Sequence, residues 1–278
     1  MPARRVHVVP YRHACPGWPR SCDPCRVTER VLPLVVRIER AAPPQRTDAL
    51  EAAATAVVCL LDRAENRAEN RAENRAENRA ENRAENRAEN RGENSAGDAD
   101  AWSDAVAEWQ DGRIRKVVRR ARGAEWRRAL ALPGITVAVR TAEVRVHPPV
   151  PLDDWPRDLA RLQVSGTELT DDAAPPEPGP GDVVLWINPG LEMTAGKAMA
   201  QAGHGAQFAW WGAGEADRAV WRERGFAVRV RTADPARWNA LATSGLPVVR
   251  DAGFTEIAPG SATVVADAPW LRVGVPEV

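Results

Sequence analysis

The stretch VVLWINPGLEMTAGKAMAQAGHGAQFAWW, Val183 to Trp211, decides how the chain is read. Its opening VVLWIN (Val183 to Asn188) is an apolar run of the length of one buried strand. Thr194 to Trp211 then reads as a helix built almost entirely from Ala and Gly. Within its interior, up to Ala206, three large polar residues interrupt it: Lys197, Gln201 and His204. At 100° per residue, positions i, i+4 and i+7 share a face, so an amine, a carboxamide and an imidazole point the same way. Gly196, Gly203 and Gly205 each cost roughly 1 kcal/mol of helix propensity relative to Ala, which implies close approach by another backbone, a substrate or the underlying sheet.

Working outward, a helix is expected across Glu215 to Arg224, then a strand in AVRVRT, a helix from Pro235 to Ser244, and strands in PVVRDA and ATVVADA. Strands alternating with helices in so short a span predict an α/β domain, a small mixed β-sheet flanked by helices, over residues 183–278. Upstream, TDDAAPPEPGPGD (Thr170 to Asp182) reads as a linker, because its Pro, Gly and acidic residues continue neither a helix nor a central strand.

Residues 28–169 echo the same order, beginning with a strand in VLPLVVRIE (Val31 to Glu39) and a helix in DALEAAATAVVCLL. Trp109 precedes Trp126 by seventeen positions, and Trp221 precedes Trp238 by the same seventeen. Each interval holds a Gly and a Val-containing basic run, and each second Trp leads to a Leu-Pro before an apolar strand. The N-terminal half is therefore expected to be a second, degenerate copy of the domain. Its basic run, Gly112 to Arg128, carries conflicting helix and strand signals. Arg113, Arg115, Lys116, Arg119 and Arg120 are expected to form either a local positive surface suited to tRNA phosphates or a merely solvated face.

Between Arg63 and Asn90 the tetrapeptide RAEN occurs seven times, followed by RGEN. Arg meets Arg and Glu meets Glu at i+4, and Ala is the only apolar residue, so no face is available to bury. Residues 63–97 are read as a flexible or helical insertion in the first copy, with nothing to dock it on a core.

The 278 residues carry 38 basic and 38 acidic side chains, so no whole-molecule field favours nucleic acid. No run has the apolar length of a signal peptide or a membrane span, and a cytoplasmic protein is expected. His13, Cys15, Cys22 and Cys25 include one C-x-x-C but lack a completing pair, so residues 1–27 are read as a disordered leader without metal. Among the basic residues only Lys116 and Lys197 are lysines. In so Arg-rich a chain, Lys197 is expected either to mark a place where a compact ammonium fits and a flat guanidinium does not, or to be a lysine left by drift.

The motif M-T-A-G-K-A-M-A-Q-A-G-H-G-A resembles the opening helix of the type 2 peptidyl-tRNA hydrolase family. RDAGFTEIAPGSATVV (Arg250 to Val265) resembles that family's Asp-Ala-Gly-Arg-Thr-Gln-Ile-Ala-Pro-Gly-Ser followed by a strand. The resemblance implies hydrolysis of the ester between a peptide and the 3′ end of tRNA, without a cofactor, usually by a homodimer. By position it makes Lys197, Gln201, His204, Asp251 and Thr255 the site residues. His204 would take a proton from water with Asp251 orienting it, Lys197 would hold a phosphate or the oxyanion, and Gln201 and Thr255 would position the carbonyl or water. Three positions depart from the pattern: Ala195 replaces a frequent Lys, Phe254 an Arg and Glu256 a Gln. Two positive charges are lost and one negative gained. The degenerate half would stand in for a second subunit, so a monomer is expected, with a homodimer as the alternative. An inactive tRNA-binding or interaction module of the same fold, or a hydrolase of another ester or amide, also remains open.

Overall fold

The computed structural model describes residues 29–84, 97–253 and 256–272. The leader with its His13 and cysteine group, Phe254 and Thr255 lie outside them. The N-terminal half runs β1 (Arg30–Arg37), α1 (Arg46–Ala84), α2 (Gly97–Asp111), β2 (Arg115–Ala121), α3 (Gly123–Ala131), β3 (Ile135–Val139), β4 (Ala142–Val146), β5 (Val150–Pro151) and α4 (Arg157–Ala160). The C-terminal half runs β6 (Val183–Ile187), α5 (Ala195–Gly212), α6 (Glu215–Glu223), β7 (Val228–Thr232), α7 (Pro235–Thr243), β8 (Val248–Arg250) and β9 (Ala262–Asp267), then a single 3-10 turn at Pro269–Leu271.

Two mixed sheets result, ordered β2-β1-β4-β3 and β7-β6-β9-β8, with the short β5 added to the end of β1. The repetition extends to register. Leu32 faces Lys116 across the parallel pair of the first sheet as Val183 faces Val228 in the second. Leu34 faces Val146 across the antiparallel pair as Leu185 faces Ala266. The paired tryptophans occupy matching places. Trp109 Nε1 donates to the carbonyl of Arg115 at 2.9 Å, and Trp221 Nε1 to that of Ala227 at 3.0 Å, six residues on in both cases. The residue between, Ile114 (φ 49°) or Phe226 (φ 53°), takes the left-handed conformation that turns the chain into the strand. Trp126 and Trp238 each pack on the outer face of their own sheet. Two sheet-and-helix units of one topology are consistent with a duplicated domain. The contested basic run is a strand, β2, in its first half.

Alternation along the central strands explains the layering. Leu32, Leu34 and Val36 point to one core and Val35 to the outer layer; Val183, Leu185 and Ile187 join that same core while Val184 and Trp186 point outward. Between the sheets lie α1 and α5, and the shared cluster takes residues from both halves. Small side chains permit this approach: Ala49, Ala52, Ala53, Ala54 and Ala56 of α1 are fully buried. A Cβ on Gly203 of α5 would stand 3.1 Å from Val57 of α1. The halves are thus held by one apolar interior. The connecting strap is held too: Asp171 accepts from the N–H and hydroxyl of Thr47 at the start of α1, at 2.8 and 2.6 Å, and Asp182 accepts from Arg229 at 3.0 Å.

The tetrapeptide array continues α1 as helix to Ala84. The expectation that nothing docks it fails for the first unit. Arg63 lies over the ring of Trp102 at 4.8 Å, Ala64 is buried, and Glu65 meets Arg218 at 2.6 Å. The partners come from α2 and α6, which a periodicity argument about the array alone does not contain.

Candidate active site between the two halves

Thr194 caps α5 by accepting from the Lys197 N–H at 3.3 Å, and Glu256 returns to the same point, accepting from the Thr194 hydroxyl at 2.9 Å and its N–H at 3.1 Å. The carboxylate gained at position 256 is therefore spent on the entry to the helix, where the N-terminal end of the dipole favours it. One and two turns on, Lys197 and Gln201 face the loop after β8. Asp251, the first residue of that loop, is pinned through its backbone to Ser261 and Gly260, and its Oδ1 accepts from the Gly253 N–H at 2.8 Å.

Asp251 Oδ2 receives two donors from α5: Lys197 Nζ at 2.5 Å and Gln201 Nε2 at 2.7 Å. The Gln201 amide is oriented from behind, because the Thr263 hydroxyl of β9 donates to its Oε1 at 2.7 Å. All are well buried, the Asp251 side chain being 6% and the Lys197 side chain 12% exposed. The result is a desolvated carboxylate with a charge partner and two neutral donors, a set that fixes its geometry.

His204 departs from the expected arrangement. Among the described residues its hydrogen bond is not to Asp251, whose Oδ2 is taken by the two α5 donors. Instead Nδ1 lies 3.1 Å from Nζ of Lys116, which reaches across from β2 of the other half. The ring lines the pocket and is part-exposed there. Desolvation, followed by the ammonium groups of Lys116 and Lys197, holds its imidazolium well below the usual range, so the ring is neutral.

The five basic residues read as one positive surface are separated by the alternation of β2. Lys116 is buried: Nζ donates to Gln207 Oε1 at 2.6 Å and lies 4.7 Å from the centre of the Trp109 ring. Burial pushes its ammonium well below the ordinary lysine range. Arg119 stacks on Trp155 at 4.4 Å and donates to the carbonyls of Ala160 and Leu162, while Arg120 bonds the Ser165 carbonyl and Gln163. Arg115 pairs with Glu29 at 3.1 Å. Arg113 is exposed on the pocket rim.

The cavity these groups enclose is about 280 Å³, with Lys197, Gln201, His204 and Asp251 from one half and Arg113 and Lys116 from the other. Both lysines of the chain line it. The scarcity of lysine was the available signal; which helix a strand residue meets in another half is not written in its own periodicity. The glycines have packing reasons: a Cβ on Gly205 would meet Val264 at 2.9 Å, one on Gly196 the Thr167 hydroxyl at 2.8 Å, and one on Gly203 Lys116 at 3.1 Å.

The N-terminal half repeats the ion pair with its polarity exchanged. The third residue of α1 and the first after β3 are Asp48 and Arg140, 2.5 Å apart, where the C-terminal half has Lys197 and Asp251. Counting along α1, Ala52 and Thr55 stand in the places of Gln201 and His204. Glu51, 1% exposed, fills the space and binds Arg140 at 2.8 Å, Arg231 at 3.2 Å and the Val230 N–H at 3.0 Å. This second position is an ion cluster locking the halves, with no imidazole or carboxamide.

Among the described residues no group of three or more His, Cys, Asp or Glu is placed to hold a metal, and no helix is long and apolar enough to cross a membrane. Comparison of the whole chain with curated proteins and with solved structures gave no match. Residues 182–277, the C-terminal α/β unit, match the model of the family described as peptidyl-tRNA hydrolase PTH2.

Proposed function

We propose that the protein hydrolyses the ester joining a peptide, or an N-blocked amino acid, to the 3′ ribose oxygen of tRNA. The observation that carries this reading is the buried Asp251 carboxylate held by Lys197 and Gln201 inside the family-matched domain. A carboxylate offers about four acceptor positions, and Asp251 uses three, on Lys197, Gln201 and Gly253, which leaves one for a water proton. Lys197 supplies positive charge beside the carbonyl oxygen as it becomes negative, and Gln201 and Thr255 position the carbonyl or the water. Neutral His204 serves as a hydrogen-bond donor to the reacting oxygens rather than as the base. Exposed Arg113 meets an acceptor-strand phosphate in this reading, Arg115, Arg119 and Arg120 act within the N-terminal half that shapes the approach, and Lys116 reaches from it to α5. No cofactor enters this scheme, and the chain works as a cytoplasmic monomer whose first half replaces a second subunit.

Release of free tRNA from a purified N-blocked aminoacyl-tRNA tests the reading. Lys197→Ala is expected to lower turnover on the order of a hundredfold or more; unchanged turnover overturns the scheme. A tRNA-binding module without turnover is the second reading, favoured by the Ala195 and Phe254 departures. It predicts salt-dependent tRNA binding with no release.

A further inference from the structure

We infer that Lys116, supplied by the N-terminal half, is a positioning residue of the C-terminal site: its Nζ fixes His204 as the Nε2–H tautomer and thereby points a hydrogen-bond donor at the reacting ester. The inference rests on the hydrolase reading for its consequence and on geometry for its substance. Lys116 leaves β2, passes the notch that Gly203 provides in α5, and ends between Gln207 Oε1 and His204 Nδ1 with the Trp109 face beside it. Held as an ammonium against the Trp109 face, Nζ has only N–H groups to give, and the carboxamide oxygen already takes one. The imidazole nitrogen facing it is therefore the acceptor, and a neutral imidazole that accepts at Nδ1 carries its proton at Nε2. Among the described residues no protein group bonds Nε2, and His204, half-buried, is one of the residues lining the pocket. Val228 stands at the register position in β7 that Lys116 holds in β2, so this device exists on one side of the molecule only.

Arginine does not replace lysine here. The cavity between Gln207, Trp109 and the Gly203 notch admits one compact donor group, whereas a guanidinium is broad, flat and cannot shed its charge. A lysine ammonium can be buried here because the Gln207 carboxamide oxygen and the Trp109 ring face receive it.

The test uses the full chain with isotope-labelled histidine, the His204 resonances being assigned by their loss in His204→Asn. Ring nitrogen and carbon shifts are expected to report the Nε2–H tautomer in the wild type and a mixture in Lys116→Met. In tRNA release, Lys116→Met is expected to lower kcat at least about tenfold with KM within roughly twofold. The double variant with His204→Asn should lose little beyond either single change. An Nδ1–H tautomer in the wild type overturns the inference, and so does an unchanged Nε2–H tautomer in Lys116→Met. A wild-type protein that releases no tRNA overturns the hydrolase reading instead, and the tautomer spectra then decide this inference alone.

Discussion

Lys197 and Asp251 meet at 2.5 Å with both side chains nearly closed to solvent. Removing one partner strands the other charge in a poorly hydrated place, and such losses cost about 3–5 kcal/mol, whereas replacing both members is far milder. Lys197→Met is therefore expected to lower stability in denaturant titration by a few kcal/mol, with Gln201 and Gly253 softening the loss at Asp251. The double variant Lys197→Met with Asp251→Asn should recover much of that stability and none of the turnover. A double variant as unstable as the single one would contradict the ion-pair account.

Acid stability should be set in part by His147, which is not among the residues lining the cavity. It is buried, Nδ1 donates to the Pro133 carbonyl at 2.7 Å, and Nε2 has no hydrogen-bond partner. Desolvation dominates and pushes its pKa down to about 4 from an ordinary 6.5. The unfolded chain binds this proton more readily, so the folded state loses stability as pH falls from 6.5 towards 4. The integrated loss is of order 3 kcal/mol. Denaturation midpoints measured from pH 7 to 4.5 should show a shallower acid limb in His147→Phe than in the wild type.

The tetrapeptide array divides into a docked start and a remainder. Arg63 and Arg67 both lie over the ring of Trp102, which brings α2 alongside the first two units. Deleting residues 71–94 should change stability by less than about 1 kcal/mol and leave tRNA release intact, since loop length costs little. Deletion of 63–94, which removes the Trp102 and Arg218 contacts, should lower the melting temperature by several degrees.

Isolating the family-matched segment should change its association. In the full chain, Ala198, Ala202 and Ala206 of α5 are fully buried, and α1 supplies much of that cover. A fragment of residues 182–278 is expected to dimerise or aggregate in sedimentation experiments, whereas the intact protein sediments as a monomer. A well-behaved monomeric fragment would show that the shared interior is dispensable.

Much of this arrangement was legible in the residues because it is local or repeated. The 3.6-residue spacing placed Lys197 and Gln201 on one face, and the Asp-Ala-Gly loop supplied the carboxylate they meet. The equal tryptophan spacings marked two units, since each indole closes the same six-residue turn. The contact between Lys116 and His204 was not legible, because it depends on how β2 of one half lies against α5 of the other. The reversed pair of Asp48 and Arg140 was hidden as well. An Ala-rich helix with Asp and Glu at its start reads as an ordinary helix opening, and its arginine partner follows β3, some ninety residues on.

A homodimer cannot choose a side chain for one of its two sites, because every codon is expressed twice. Two units within one chain are free of that constraint, and here the matching point of the two sheets carries lysine once and valine once. Under the proposed function, one site is tuned by its neighbour while the opposite position is given to the Asp48, Glu51 and Arg140 charge cluster that holds the halves together.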